Sequence, residues 1–490
     1  MIKKIFFVLM VYVIFFSSTN FIWAEDIFFR EYQNPKDIII TRPTNNFQTH
    51  EENTSLYGAC DYNYPLYING TEIKYTEHGF FASYEKLNDG ENIFVLKNGE
   101  HEKKICVIKK MPESNPKKLN SEIKFFETKK SGVVTRDNIS HRTRPDEEND
   151  DLIEPLVKGT LVNILGETDE YYFISDKTFI YKEVVDILDG ELAENKIKEI
   201  DFNLNSQEIK FFMDRNSLYR VNQNGNEIEL IIFDSSLGEN FNFDLKNNFL
   251  IEKMNYKYND EKKSVSFKMD LNKNIKTHGY EIKFENNNLI LRLQLLPALN
   301  LNEKNLDGVK IVVDAGHGGN DFGTLGPAGT KYLNEKDINL MIANKLAEHL
   351  KNLGAEVIMN RTDDTFVSLA DRVKNIKENK ADFSISIHGN SRLETKDYLE
   401  ASGLIVYHTF NINNAPEFIS NSLSQKIDFV LDHKISNLAL TRITNCPAVL
   451  IETSFLSNPN DYERLINPEE QNKIAQAIAN SVQEYFASIR

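Results

Sequence analysis

The stretch from Lys310 to Gly319 constrains this chain more than any other part of it. It reads Lys-Ile-Val-Val-Asp-Ala-Gly-His-Gly-Gly. The three consecutive β-branched residues at 311–313 predict a strand that is buried on both faces. His317 follows that strand between glycines, which allow a backbone or a ligand to approach closely. In open α/β sheets, binding and catalytic sites lie beyond the carboxyl ends of strands. A lone histidine in a turn is common, so this stretch needs support from the rest of the chain.

The whole segment 309–490 alternates apolar strands with amphipathic helices, which is typical of a doubly wound α/β domain. The strand at 309–314 precedes a helix at about 335–353, with Asn334 as N-cap and Gly354 as C-cap. The predicted buried stripe of this helix is Ile338, Ile342, Leu346, Leu350 and Leu353. The further predicted elements are strand 355–361, helix 368–379, strand 382–388, strand 403–409, helix 417–432, strand 447–452 and a last helix that begins at Asn467-Pro468.

Four polar residues lie at the ends of these elements: His317, Glu335, His388 and Glu452. The carboxyl ends of parallel strands share one edge of a sheet, so we expect these residues to converge. Two histidines and a carboxylate make a zinc site that keeps one position open. A second carboxylate beside such a metal is the usual general base for an attacking water.

Each of these residues also has a purely structural explanation. The helix dipole favours Glu335 in a first helical turn, and His388 is compatible with a buried, hydrogen-bonded core histidine. Glu452 is harder to explain this way, because it follows four apolar residues and a buried carboxylate is costly unless it is paired or near a metal. Together the four residues favour a metal site.

Five sequence blocks follow one another in this segment: Val313-Asp-Ala-Gly-His-Gly-Gly319, Asn334-Glu-Lys-Asp-Ile-Asn-Leu340, Asn360-Arg-Thr-Asp-Asp-Thr-Phe-Val-Ser-Leu-Ala-Asp-Arg372, Ala381-Asp-Phe-Ser-Ile-Ser-Ile-His-Gly-Asn390 and Pro447-Ala-Val-Leu-Ile-Glu-Thr-Ser-Phe-Leu-Ser-Asn458. In this order the segment resembles the zinc-dependent N-acetylmuramoyl-L-alanine amidases. The resemblance implies that His317, Glu335 and His388 bind Zn²⁺ and that Glu452 acts in catalysis. It also implies that the scissile bond joins the lactyl group of N-acetylmuramic acid to L-alanine.

The sequence departs from the family pattern at two positions, with Gly389 where alanine is usual and Ser454 where glycine is usual. Neither departure removes a ligand. The segment between Tyr407 and Glu417 is short, so the inserted helix that blocks the site in some activator-dependent relatives is not expected here. We therefore expect an open site that needs no activator.

Three residues near the blocks have two interpretations each. Asp314 is expected either to hydrogen-bond to the metal ligand His317 and orient its ring, or only to cap the loop. Arg361 and Arg372 either bind substrate carboxylates or form structural ion pairs with Asp364 or Asp371, and the ion pairs are favoured.

The chain ahead of residue 309 is rich in predicted strands and turn signals. Residues 25–46 lack periodicity and are interpreted as a leader or linker. Residues 47–110 resemble the immunoglobulin-like β-sandwiches of bacterial surface proteins, and residues 122–188 resemble SH3-like wall modules, with a plain spacer barrel as the alternative. Residues 195–298 resemble the β-rich localisation domains that precede the catalytic domain in some cell-wall amidases.

The N-terminus predicts export. A basic start, Met1-Ile-Lys-Lys4, precedes an apolar run from Ile5 to Phe16, and cleavage after Ala24 fits a signal peptide at 1–24. An uncleaved anchor is the alternative, but the apolar run is short for a membrane span, which needs about 20 residues. No second transmembrane segment is predicted, and a lipid anchor is not expected because the first cysteine is Cys60.

Charge and cysteine content narrow the choice of partners. The net charge of −16 argues against nucleic acid as a ligand. With three cysteines, the chain is no disulfide scaffold, although Cys60 and Cys106 could pair in an oxidising compartment or remain as buried thiols.

The sequence therefore predicts a multidomain hydrolase: all-β modules (sandwich and barrel) followed by a doubly wound α/β zinc amidase domain. It would act on peptidoglycan in the periplasm or cell wall, with a cell-division or wall-binding protein as a possible partner. The alternatives are a non-enzymatic or activator-dependent wall-binding or regulatory protein, and a zinc peptidase that cleaves within the stem peptide.

Overall fold

A computed structural model describes residues 32–111, 122–146, 153–246, 248–296, 305–410 and 412–489. The predicted signal peptide at 1–24 lies outside these described residues. Within the described ranges, no helix is both long enough and apolar enough to cross a membrane.

The first β unit (residues 32–111) consists of two small sheets packed face to face. Their strand orders are β1-β3-β6 and β2-β8-β7-β4-β5. Cys60 and Cys106 are free thiols; Cys60 is buried, as the alternative to a disulfide expected, whereas Cys106 is half-buried. The strands are β1 (Ile39–Arg42), β2 (Phe47–Thr49), β3 (Asn53–Ala59), β4 (Leu66–Ile68), β5 (Thr71–Ile73), β6 (Phe80–Lys86), β7 (Gly90–Asn98) and β8 (His101–Lys109).

Strand β1 lies in the stretch that was interpreted as a leader or linker. It pairs antiparallel with β3, and Ile39 lies opposite Ala59. Ile38, just before it, is buried in the core of the same unit. A four-residue strand beside Pro and Asn residues carries too little periodicity to be recognised without its partner strand.

The middle of the chain is also all-β. One five-stranded sheet has the order β12-β11-β10-β9-β13, and two further sheets have the orders β18-β14-β15-β22-β21 and β16-β17-β20-β19. One continuous apolar cluster joins residues of all three sheets, among them Val162, Phe211 and Phe267. The strands are β9 (Lys124–Val134), β10 (Leu161–Glu167), β11 (Tyr171–Ile174), β12 (Phe179–Tyr181), β13 (Val185–Leu188), β14 (Asn195–Asn203), β15 (Glu208–Met213), β16 (Tyr219–Asn224), β17 (Glu227–Phe233), β18 (Ser235–Phe243), β19 (Ile251–Asn259), β20 (Ser264–Leu271), β21 (Thr277–Glu285) and β22 (Asn288–Leu295).

The C-terminal domain is built on a six-stranded sheet with the order β24-β23-β25-β28-β26-β27. Its strands are β23 (Lys310–Ala315), β24 (Glu356–Met359), β25 (Phe383–Asn390), β26 (Leu404–His408), β27 (Val430–Ile435) and β28 (Ala448–Phe455). Its helices are α1 (Glu335–Asn352), α2 (Leu369–Glu378), α3 (Ala415–Ser424), α4 (Pro459–Leu465) and α5 (Pro468–Ser488).

Both faces of this sheet are covered. On one face, Val313 of β23 belongs to an apolar cluster with residues of α1, α3 and α5, including Ile342, Ile419 and Ile478. On the other face, Val312 packs with Val373 and Ile376 of α2. Because successive side chains of a strand point to opposite faces, both neighbours in β23 are buried.

The sheet is not entirely parallel, which corrects the expectation of a parallel sheet. β24, β23, β25 and β28 are parallel neighbours. β26 runs antiparallel to β28, with Ile405 opposite Glu452. The carboxyl end of β26 therefore lies at the far edge, away from the edge where β23, β25 and β28 end.

The predicted helix at 417–432 was wrong in its extent. The helix is Ala415–Ser424, and Val430–Ile435 forms the edge strand β27 instead. The apolar residues between 427 and 430 form a short run that fits either period, so periodicity alone does not distinguish the two. Helix α1 agrees closely with its prediction: Asn334 and Asp337 form a capping box, and Gly354 adopts a positive φ of 97° just after the helix.

Candidate metal centre and active site

His317 lies in the loop that follows β23, in an unusual backbone conformation. Its φ is +60°, in the left-handed region that non-glycine residues seldom adopt. Such strain persists only where the surroundings enforce it, and it concentrates at functional sites. The turn directs the imidazole towards the first residue of α1, Glu335, whose Oε1 lies 3.0 Å from His317 Nε2.

Two buried arginines donate hydrogen bonds to the backbone carbonyls of this loop and of the end of β23. Arg361 donates from Nε to the carbonyl of Ala315 and from Nη2 to that of Gly316. Arg372 donates to the carbonyls of Ala315 and His317 at 2.7 and 2.8 Å. Both guanidinium groups are thus engaged by the protein itself, which supports the structural interpretation over substrate binding.

The partner of Arg372 differs from the expected one. Arg372 pairs with the fully buried Asp314, whereas Asp364 pairs with Lys336 at 2.7 Å. Asp314 also accepts hydrogen bonds from Asn360 and Ser386. Neither of the favoured pairs, with Asp364 or Asp371, is formed by Arg372.

Replacing Arg372 with Met should lower the free energy of unfolding by about 3–5 kcal/mol, because Asp314 would keep a buried charge without its cation. Urea unfolding followed by circular dichroism would measure the loss. Arg144→Met is the matched control, since Arg144 and Asp146 form an ion pair in which both side chains are exposed and which should contribute at most about 1 kcal/mol. Equal losses of unfolding free energy in the two variants would contradict the assignment of Arg372 and Asp314 as a stabilising buried ion pair.

Glu335 is the centre of the predicted ligand group and is buried. Its Oε1 lies 3.0 Å from His317 Nε2 and 3.0 Å from His388 Nδ1. The amide of Gly389 also donates to Oε1, at 3.2 Å, and the amide of Thr324 donates to Oε2, at 2.8 Å. His388 is on β25, so the loop after β23, strand β25 and helix α1 each contribute one residue to this group.

These contacts shift the proton affinities of all three side chains. Burial alone would lower the pKa of His317, but the hydrogen bonds and charges of Glu335 and Asp321 outweigh it and raise that pKa to about 9. At His388, burial would likewise lower the pKa, but the hydrogen bond and charge of Glu335 raise it. Burial would raise the pKa of Glu335, but hydrogen bonds from both histidines hold it well below its usual range. The carboxylate is therefore retained as an anion between two imidazoles.

Glycines make room for this arrangement. A Cβ on Gly316 would overlap the imidazole of His388, and one on Gly389 would overlap the side chain of Leu456. The second clash is with the end of the Leu456 side chain, so alanine at position 389 would require that side chain to shift. A bulkier residue there would displace either Leu456 or the backbone that bonds to Glu335.

Glu452 lies directly beside His388, since the two residues are register partners in the neighbouring parallel strands β28 and β25. Its Oε2 is buried and has no hydrogen-bond partner among the described residues. Burial raises the pKa of Glu452 to about 7, although the charge of His388 opposes this. A buried carboxylate oxygen without a hydrogen-bond partner is costly, so its presence here points to a reaction or a ligand.

The donor set fits a zinc ion. One ligand atom from each of His317, Glu335 and His388 lies within 4.8 Å of the others. Ligand atoms about 2.1 Å from a tetrahedral zinc are roughly 3.4 Å apart, close to the 3.0 Å between Glu335 Oε1 and each histidine nitrogen. His317 Nδ1 bonds to Asp321 Oδ2 at 2.8 Å, which leaves Nε2 for a metal. This is the usual arrangement of a zinc-bound histidine with a carboxylate partner.

Asp321 was not singled out from the sequence, and Asp314 was considered for its role instead. The sequence feature that could have identified Asp321 is its position four residues after His317 in the glycine-rich loop. The loop turns back at that point, where Gly318 and Asp321 form an isolated β-bridge. The turn brings the Asp321 carboxylate to the imidazole, whereas Asp314 remains on the strand.

Replacing Asp321 with Asn should weaken zinc affinity about 10–100-fold while leaving the fold intact, because the partner fixes the tautomer and orientation of the His317 ring. Competition with a chromophoric chelator would measure the dissociation constant. Asp432→Asn is a matched control, because it removes an exposed Asp–His contact, with His433, on the edge strand β27. Unchanged affinity in Asp321→Asn would exclude this role.

Sequence comparisons agree with this geometry. A family model described as N-acetylmuramoyl-L-alanine amidase matches residues 311–484. The Bacillus subtilis protein YqiI is 33% identical over 202 residues, which are 40% of this chain and 93% of that protein. The probable cell wall amidase LytH of Staphylococcus aureus is 36% identical over 193 residues, 39% of this chain and 62% of LytH. This chain thus spans less than two thirds of the length of LytH.

Solved structures give similar matches. The amidase AmiC2 of Nostoc punctiforme is 32% identical, with 36% of this chain and 97% of that chain covered and a TM-score of 0.34. The CwlD amidase from Clostridioides difficile, solved in complex with the GerS lipoprotein, is 30% identical, with coverage of 37% and 100% and a TM-score of 0.33.

Proposed function

Because this chain belongs to the N-acetylmuramoyl-L-alanine amidase family through its C-terminal domain, we propose that it is an exported, zinc-dependent peptidoglycan hydrolase. Its substrate bond is the amide between the lactyl group of N-acetylmuramic acid and the L-alanine of the stem peptide. Zn²⁺ is held by His317, Glu335 and His388, and Glu452 is the general base.

One observation carries this proposal. Two imidazole nitrogens and a carboxylate oxygen converge within 4.8 Å. Glu452, whose Oε2 has no hydrogen-bond partner in the described part of the chain, lies beside them on the next strand. Three protein ligands with a neighbouring free carboxylate are the pattern of a catalytic zinc site, whereas structural zinc sites use four protein ligands.

Zinc bound at this site supplies Lewis acidity, which polarises the substrate carbonyl and makes water a stronger acid. Glu452 accepts a proton from the water whose oxygen attacks the lactyl carbonyl carbon. The C–N bond then breaks, and Glu452 returns the proton to the departing amine of L-alanine. Asp321 keeps the His317 ring in one tautomer, and the two buried arginines keep its loop in place.

The proposed architecture places three β-rich modules, 47–110, 122–188 and 195–298, ahead of a doubly wound domain at 309–490. The helices on both faces of the C-terminal sheet support the last assignment. The predicted signal peptide at 1–24 and the similarity to LytH, a probable cell wall amidase, support action outside the cytoplasm, in the periplasm or cell wall.

The test is mass spectrometry of purified peptidoglycan digested by residues 25–490, with and without a chelator. Stem peptides that begin with a free L-alanine amine, lost on chelation and restored by zinc, are expected. Cleavage within the stem peptide would assign the chemistry to another bond. Intact peptidoglycan with zinc-loaded protein would favour the alternative of a binding protein or of an enzyme that needs an activator.

A further inference from the structure

The first β unit contacts the loops that follow strands β23, β25 and β28. His317 lies in the first of these loops, whereas His388 and Glu452 lie on β25 and β28 themselves. The loop after β23 is reached by Thr41 Oγ1, which donates to the carbonyl of Pro327 at 2.7 Å. The loop after β25 is reached by Ser55, whose amide donates to the carbonyl of Glu394 at 2.6 Å. Arg42 also pairs with the carboxylate of Glu394.

The contact with the third loop is fully buried. Tyr57 on β3 donates its hydroxyl to the carbonyl of Leu456, just after β28. The Tyr57 side chain has no exposed surface, and its ring packs edge-on against Tyr398 with centroids 5.6 Å apart. Water has no access to replace this hydrogen bond, so the Leu456 carbonyl depends on the hydroxyl of Tyr57.

Leu456 connects this hydrogen bond to the ligand group. Its amide donates to the carbonyl of Asn390 at 2.7 Å, and its side chain packs against Gly389 so closely that a Cβ there would overlap it. The amide of Gly389 in turn donates to Glu335 Oε1. A continuous chain of contacts therefore runs from β3 to the residue that follows His388.

The first β unit and the C-terminal domain also share a hydrophobic core. Ala59 and Phe80 of the first β unit belong to the same buried cluster as Val313 and Tyr462 of the C-terminal domain. The rings of Phe80 and Tyr462 meet edge-to-face with centroids 5.0 Å apart. The unit is therefore packed against the domain as part of one interior, in addition to the polar contacts with its loops.

From these contacts we infer that the first β unit is a built-in part of the active site and that Tyr57 is a positioning residue for His388. Tyr57 acts through Leu456 and Gly389 to hold the end of β25 in the geometry that binds the metal. This inference rests on the proposed zinc site.

The test compares two variants that each remove one hydroxyl from the same unit. Tyr57→Phe should weaken zinc affinity about tenfold, at the low end of the range for residues that support a metal ligand. Its kcat should fall while KM is unchanged. Tyr84→Phe is the matched control, because Tyr84 also donates to a loop carbonyl, that of Thr395 at 3.2 Å, but is 40% exposed. Water can replace that bond, so its zinc affinity should stay at the wild-type value.

Zinc affinity is measured by chelator competition on residues 25–490, independently of turnover. If wild-type protein binds no zinc, the proposed function itself fails. If wild-type protein binds zinc but Tyr57→Phe matches Tyr84→Phe, or loses only thermal stability, the positioning role is overturned and the proposed function stands.

A second pair of variants tests the middle of the chain of contacts. Gly389→Ala should weaken zinc affinity because the new methyl group displaces Leu456 or the ligand loop. Combining it with Leu456→Ala removes the clash, and the double variant should regain most of the affinity that Gly389→Ala loses. Additive losses would show that Leu456 does not connect Tyr57 to the metal ligands.

Discussion

Glu452→Gln should reduce the turnover of peptidoglycan by about 10²–10⁴-fold, the contribution typical of a positioned general base. Glutamine has nearly the same shape but cannot accept the proton of the attacking water. Oε2 of Glu452 is buried and has no hydrogen-bond partner in the described ranges. The substitution therefore removes no stabilising contact of that atom, and the fold and zinc content should be retained.

Product release measured by mass spectrometry, together with the zinc content of the purified variant, would check this expectation. Glu484→Gln is a suitable control, because Glu484 bonds to Lys426 and Ser422 on the helical face of the domain and should leave turnover unchanged. A Glu452→Gln enzyme with wild-type activity would rule out Glu452 as the base. If the Glu452→Gln variant had also lost its zinc, kcat would be measured at saturating zinc. The same decrease in kcat, about 10²–10⁴-fold, is expected there.

Glu335→Gln should weaken zinc binding about 100-fold and reduce activity at least as far. Glu335 lies 3.0 Å from each ligand histidine and is the one anion of the proposed ligand set. If three ligands share a binding free energy of about 10 kcal/mol, the loss of one costs roughly 3 kcal/mol, or about 100-fold in zinc affinity. The turnover rate should fall by at least the same factor, because the proposed reaction requires bound zinc.

Thermal unfolding with and without added zinc provides a readout that does not depend on turnover. Zinc that binds the native state raises the melting temperature of the wild-type protein by mass action, and Glu335→Gln should show no such rise at the same zinc concentration. Glu348→Gln, on the exposed side of the same helix, should behave as wild type. A zinc-dependent rise in both variants would place the metal elsewhere.

Much of the candidate site could be predicted from sequence because each residue lies at the end of a strongly periodic element. His317 and His388 follow β-branched or alternating apolar runs, and Glu335 opens a helix with a recognisable N-cap. These signals are local, so they survive without knowledge of the partners in space. The prediction that the first three would converge agrees with the ligand group found here.

Other features depended on contacts that no local pattern encodes. The direction of β26 is set by its pairing with β28, and the β27 segment becomes a strand because an edge position beside β26 is available. For a similar reason Asp321, which had no predicted role, is the partner of His317 that Asp314 was considered to be. The left-handed turn at His317 decides which carboxylate meets the ring.

The sequence by itself determined the class of the C-terminal domain, the positions of its four candidate site residues and the chemistry that they suggest, because residue type and spacing are properties of the chain. Only the tertiary structure decided which groups support those residues. Arg372 reaches across to Asp314, and Tyr57 reaches Leu456 from a separate sheet. Such partners are far apart along the chain and are selected by packing and by the cost of leaving buried polar groups unpaired, which exist only once the chain has folded.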